Sequence, residues 1–186
     1  MFNTALLDAL KVLQNKQILL YPTDTVWGLG CDATCDEAVA KIFELKNRVE
    51  SKSLVILVSS LEMLNSYIET IPEKAIHIIT ASDKPTTIIY NNPTRLASNT
   101  IASDNTIAIR IPIHDYCLDL INLFGKPIVS TSANISGEAT PKSFSEISQP
   151  ILEGVDYIVN LERDKITDKS STILKLIGED IEVIRA

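Results

Sequence analysis

The chain is poor in histidine and cysteine. Its 186 residues hold two histidines, His77 and His114, and three cysteines, Cys31, Cys35 and Cys117. A single CxxxC pair with no second pair of ligands argues against a structural zinc site. The odd thiol count suits free, largely buried cysteines in a reducing compartment better than a disulfide framework. No apolar run approaches the ~18 residues that cross a bilayer. The N-terminus lacks the basic region, apolar core and small-residue cleavage site of a signal peptide. The expectation is a cytoplasmic protein that makes no membrane contact. Cations are also in deficit: 17 Lys and Arg face 24 Asp and Glu, a formal charge of −7. That balance argues against a broad nucleic-acid face but leaves room for a local cationic pocket that takes a nucleotide.

Apolar residues make up 45% of the chain. At this length roughly 70% of the unfolded surface can be buried around one core, so residues 1–186 are expected to form one domain. Helices are expected where apolar residues recur at helical spacing: after an Asn3 or Thr4 cap, along Leu6, Leu10 and Leu13; after a Thr34/Glu37 capping box; after a Ser59/Glu62 capping box; after Pro72; and over 114–124, stopped by Gly125. Strands are expected at 17–21, 53–58, 86–90, 106–111 and 127–130, with a hairpin at 171–184 around Gly178 and a short helix with turns at 140–153. Strands alternating with helices and no linker imply an α/β fold with a mixed sheet and helical cover.

Three polar segments interrupt this pattern, each at the end of a strand or helix. In YPTDTVWGLGCDA, residues 21–33, Thr23, Asp24 and Thr25 precede Gly28 and Gly30. Their oxygens suit a polar ligand, and equally suit a self-capped turn. Neither the Walker lysine nor the Rossmann glycine spacing is present. In KNRVESK, residues 46–52, Lys46, Arg48 and Lys52 place three cations at a helix C-terminus, a pattern that complements the helix dipole and also suits phosphate. In STSANISG, residues 130–137, hydroxyls, an amide and successive main-chain N–H groups could form an anion nest or a polar turn. No histidine accompanies these serines, so a hydrolase triad has no support. Arg110, near the end of an apolar strand, could grip a carboxylate with paired hydrogen bonds.

Taken in order, YPTDTVWGLGCDA, KNRVESK, NTIAIRIP, PIVSTSANISGE and SSTILKL resemble the short, single-domain form of the YrdC-like threonylcarbamoyl-AMP synthase family over about residues 3–184. The resemblance implies an open, twisted α/β sheet with helices around it, a cationic concave site and no additional C-terminal domain. It implies formation of threonylcarbamoyl-AMP and pyrophosphate from L-threonine, bicarbonate and ATP with Mg2+, for the N6-threonylcarbamoyladenosine of tRNA. Lys46, Arg48 and Lys52 are then expected at the phosphates as the catalytic cations. Arg110, Ser132 and Asn134 are expected around the nucleotide and adenylate with Ser130 and Ser171 nearby, and Thr23 and Thr25 on the threonine side. Two departures from the family pattern stand out. Val49 and Ser53 replace prolines of the cationic loop, and residues 83–87 read DKPTT where a Pro-Gly-Pro-x-Thr segment is usual.

The resemblance also implies a downstream tRNA threonylcarbamoyl transferase complex as partner, with direct tRNA contact as a further expectation. A related nucleotide- or RNA-binding protein without synthase activity is the alternative. The implied chemistry needs no side-chain nucleophile, since a threonine carbamate can itself attack the α-phosphate while cations stabilise the transferring charge.

Overall fold

The computed structural model describes residues 2–48, 54–167 and 169–186. Helix α1, Phe2–Gln14, leads into strand β1, Leu19–Tyr21, strand β2, Gly28–Gly30, and helix α2, Asp36–Lys46. Strand β3, Val55–Leu57, is followed by helices α3, Leu61–Asn65, and α4, Glu73–Ala81, then by strands β4, Thr86–Asn91, and β5, Thr106–Arg110. Helix α5, Asp115–Phe124, strand β6, Ile128–Ser132, helix α6, Gln149–Gly154, and strand β7, Tyr157–Ile158, precede the closing hairpin of β8, Thr172–Ile177, and β9, Asp180–Arg185.

The nine strands form one open mixed sheet in the order β7-β1-β2-β6-β3-β5-β4-β8-β9. Parallel pairs are β1 with β7, β3 with β5, and β4 with β8; the others run antiparallel. Both faces are covered. Leu20, Ile56 and Val129 pack into one apolar cluster with Ile42 and Phe43 of α2, while their neighbours Leu19, Leu57 and Ile128 pack into a second with Leu13 of α1 and Leu120 of α5. Successive strand residues point to opposite faces, so a sheet buried on both sides reads as a continuous apolar run rather than an alternation.

Strand β2 corrects the expectation of a loop at residues 28–30. A Cβ built on Gly30 would lie 2.6 Å from Tyr21 Cε1 and 2.9 Å from the Val129 carbonyl oxygen. The glycine thus serves close packing between β1 and β6 rather than a turn. The helix starts differ as well. Thr34 donates its main-chain N–H and its hydroxyl to Asp32 Oδ1, at 2.8 and 2.6 Å, and leaves the N-cap of α2 to Cys35. At α3 the cap is Ser60, one residue later than expected, accepting from the Met63 N–H at 3.1 Å. Helix α5 ends as expected at Gly125, whose φ of +72° is the left-handed conformation that favours glycine.

Between β7 and β8 the chain must travel from one margin of the sheet nearly to the other. The described residues of this segment form a strap with a turn, where the Lys165 N–H donates to the Glu162 carbonyl at 3.0 Å. Among its fastenings, Glu162 Oε1 lies 3.2 Å from His114 Nε2, the Arg163 guanidinium sits 4.5 Å over the Phe144 ring, and the Thr167 hydroxyl donates to the Thr25 carbonyl.

Candidate functional site

The strap's last residues, Lys169 to Ser171, join the lining of a cavity of about 380 Å³ that also includes Thr25, Gly28, Arg48, Arg110, Ser130 and Ser132. The sheet order explains the gathering. Arg110 ends β5 opposite Leu57 of β3 and Thr87 of β4, Ser130 of β6 faces Val55 of β3, and Gly28 of β2 faces Ser132. Ser171 enters beside β8 and accepts a hydrogen bond from the Thr87 hydroxyl at 2.9 Å.

Of the expected residues, Thr25, Arg48, Arg110, Ser130, Ser132 and Ser171 line the cavity. Thr23 lies behind it, 3% exposed. Its hydroxyl donates to the Val26 carbonyl at 2.7 Å and accepts from the Thr25 N–H at 3.1 Å, so it folds the loop that presents Thr25.

Lys46 is buried and is not among the lining residues. Its ammonium donates to the carbonyl oxygens of Ser132 and Asn134, tying the end of β6 to α2. Burial, with the Arg48 charge adding to it, pushes this lysine down to about 8. Burial also lowers Arg48. Asn134 spends its amide on its own loop, donating to the carbonyls of Ile135 and Glu138 at 3.0 and 2.8 Å. Lys52 lies outside the described residues, as do Val49 and Ser53.

Arg110 is 5% exposed, and its Nη2 stands 3.0 Å from Asp24 Oδ1. The same nitrogen lies 3.4 Å from Thr25 Oγ1. Asp24 is anchored through Oδ2, which accepts the Ile113 N–H at 3.0 Å.

Sequence reasoning missed three cations of the lining: Lys142, Lys169 and Arg185. Arg185 donates from Nε and Nη2 to the Ser171 carbonyl at 3.1 and 2.8 Å. The closing hairpin carried a usable signal, because its register sets Arg185 opposite Ile173, two residues from Ser171. Lys142 and Lys169 flank Thr167, whose N–H donates to the Lys142 carbonyl at 2.7 Å, and nothing local in the sequence announces that closure. The described lining thus holds five cations, Arg48, Arg110, Lys142, Lys169 and Arg185, and no carboxylate. In a chain of net charge −7, such a concentration suits a polyanion bound among hydroxyl groups.

The family model Sua5_yciO_yrdC, described as telomere recombination, matches residues 11–186. The chain belongs to the Sua5/YciO/YrdC family. Among relatives of this family, the threonylcarbamoyl-AMP synthase of Hahella chejuensis is 33% identical over 80% of this chain and 82% of its own. That of Acinetobacter baumannii is 31% identical over 97% of this chain and 99% of its own. P. abyssi Sua5 complexed with L-threonine superposes with a TM-score of 0.90 at 28% identity, covering 100% of this chain and 54% of the larger Sua5 chain. This chain therefore spans about half the length of that Sua5. E. coli YciO shares the fold, with a TM-score of 0.85 at 20% identity over 100% of this chain and 89% of its own.

Proposed function

We propose that the chain is an L-threonylcarbamoyladenylate synthase. It joins L-threonine, bicarbonate and ATP into threonylcarbamoyl-AMP and pyrophosphate, for the N6-threonylcarbamoyladenosine of tRNA. The observation that carries this reading is the cavity lined by five cations and several hydroxyls, in a chain whose relatives bear the synthase name.

The threonine amine condenses with bicarbonate, losing water, to give a carbamate. A carbamate oxygen attacks the α-phosphorus of ATP, the α–β phosphoanhydride bond breaks, and pyrophosphate leaves with the electron pair. Arg48, with Lys142, Lys169 and Arg185, supplies donors and positive charge for the phosphates as that charge moves. Lys52 belongs to the same cationic set by its place in the sequence. Lys46 acts one step back, holding the carbonyls of Ser132 and Asn134 so that the loop presents Ser130 and Ser132. Thr25 takes the amino acid, with Thr23 shaping the loop beneath it, and Arg110, expected around the nucleotide and adenylate, is assigned instead to the amino acid because its Nη2 lies 3.4 Å from Thr25 Oγ1.

The described lining has no carboxylate to hold a bare divalent ion. Magnesium would come with ATP as part of the substrate and supply charge neutralisation at the phosphates. Downstream, the labile mixed anhydride has to be consumed by a tRNA threonylcarbamoyl transferase, and tRNA contact with this chain belongs to the same proposal. No described helix is long and apolar enough to cross a membrane.

Pyrophosphate release with L-threonine and with L-valine at equal bicarbonate tests the reading. Valine copies the branched shape but lacks the hydroxyl. A site built to bond that hydroxyl discriminates by up to roughly 10⁴-fold, whereas shape alone separates the pair poorly. The expected result is a strong preference for threonine. Release with neither amino acid would overturn the synthase assignment in favour of a noncatalytic nucleotide-binding protein.

A further inference from the structure

Arg110 is 5% exposed, and among the described residues its guanidinium is met only at Nη2. Its Nη2 meets Asp24 Oδ1 at 3.0 Å and Thr25 Oγ1 at 3.4 Å, while its buried Nε has no hydrogen-bond partner among the described residues. Asp24 Oδ1 is close to the guanidinium without hydrogen-bond alignment, so the contact is one of charge. The carboxylate itself cannot swing freely. It is 3% exposed, and the Ile113 N–H holds Oδ2 at 3.0 Å, tying the loop after β1 to the residues just past β5. A guanidinium fork closed by a protein carboxylate would use two parallel N–H donors. Here Nε is left without a protein partner, on a residue that lines the cavity, and the Nη2 that shares its edge of the fork is the nitrogen facing Asp24.

We propose that Asp24 is a positioning residue: it steers the Arg110 guanidinium from one side of Nη2, so that the unpartnered Nε and the second Nη2 hydrogen can turn to the carboxylate of the amino-acid substrate. Asp24 also balances the buried charge of Arg110 when no substrate is present, which keeps the side chain in place instead of letting it turn to solvent. This rests on the synthase reading, and specifically on Arg110 serving the amino acid rather than the nucleotide.

The test is a kinetic cycle on the full chain, with threonine and ATP varied separately, using Asp24→Asn, Asp24→Glu, Arg110→Ala and the Asp24→Asn/Arg110→Ala double variant. Asp24→Asn keeps the shape and the Ile113 contact but removes the charge. Its kcat/KM for threonine is expected to fall about tenfold or more while KM for ATP stays within about twofold. Asp24→Glu keeps the charge but pushes the guanidinium out by a methylene, and should lower the threonine term at least about threefold with ATP again unaffected. In the Arg110→Ala background, Asp24→Asn should add less than about twofold, because the residue it positions is gone.

Multiplying losses in the double variant, equal effects on threonine and ATP, or a loss that merely tracks the folded fraction in a thermal melt would overturn the proposal. If Asp24→Asn fails to fold, unchanged threonine kinetics in Asp24→Glu would do the same. Unchanged threonine kinetics in Arg110→Ala would remove the Arg110 contact, and this proposal with it, while the synthase reading stands. Wild-type protein that forms no threonylcarbamoyl-AMP would sink the reading itself.

Discussion

The Lys46 ammonium lies 2.6 Å from the carbonyl oxygen of Asn134, a bond that joins the end of α2 to the loop after β6. The Ser136 N–H returns to the Lys46 carbonyl at 2.8 Å, so the two segments are stitched in both directions. Held this way, the lysine carries a charge that is costly. Burial brings it from 10.5 to about 8 in the folded protein. Between those values the unfolded chain binds more protons than the folded one, so the contribution of Lys46 to stability rises with pH across that window and is constant and unfavourable below it. Urea unfolding of wild type and Lys46→Met at pH 7.5 and 9.5 checks this. The wild type should gain on the variant at the higher pH, by at most about 3 kcal/mol. A difference independent of pH would show that the ammonium is not destabilised by burial.

Gly30→Ala should damage the fold rather than the chemistry. The added methyl would press on the Tyr21 ring at 2.6 Å and the Val129 carbonyl oxygen at 2.9 Å, between two neighbouring strands that cannot part without breaking the sheet. A loss of about 1 to 3 kcal/mol is expected by denaturant unfolding, the range for overpacking a close-packed interior. A neutral substitution would contradict the packing role assigned to this glycine.

Arg48→Ala should do the reverse. Arg48 lines the cavity, and removing its donors should lower turnover roughly tenfold or more, from about 1.5 to 3 kcal/mol of charged hydrogen bonding, with a smaller effect on thermal stability. Steady-state kinetics with varied ATP, beside a melting curve, separates the two effects. Unchanged turnover and ATP dependence would move Arg48 out of the phosphate site.

The α/β alternation was legible from apolar runs and helix caps because those signals are local. Strand β2 was not, since its three residues carry two glycines, and what demands Gly30 is the Tyr21 ring and the Val129 carbonyl, contacts made across the sheet. The Thr34/Glu37 pattern misled because Asp32, two residues earlier, takes both Thr34 donors. At the site, the ordered polar segments pointed to Thr25, Arg48, Arg110, Ser130, Ser132 and Ser171, which the fold gathers around one cavity. The charge pattern did not distinguish Lys46, turned into the protein, from Arg48, turned to the cavity. The difference of two residues sits where α2 ends and Asn47 takes up φ +50°, which redirects the chain. Lys142 and Lys169 stayed hidden because only the strap, fastened through Thr167, brings them to the cavity.

The central claim is tested most directly by incubating the purified chain with ATP, magnesium, L-threonine and ¹³C-bicarbonate and examining the products by mass spectrometry. The account predicts threonylcarbamoyl-AMP carrying the label in its carbamoyl carbon, with one pyrophosphate released for each adenylate formed. Bound ATP with no labelled adenylate and no pyrophosphate would contradict it.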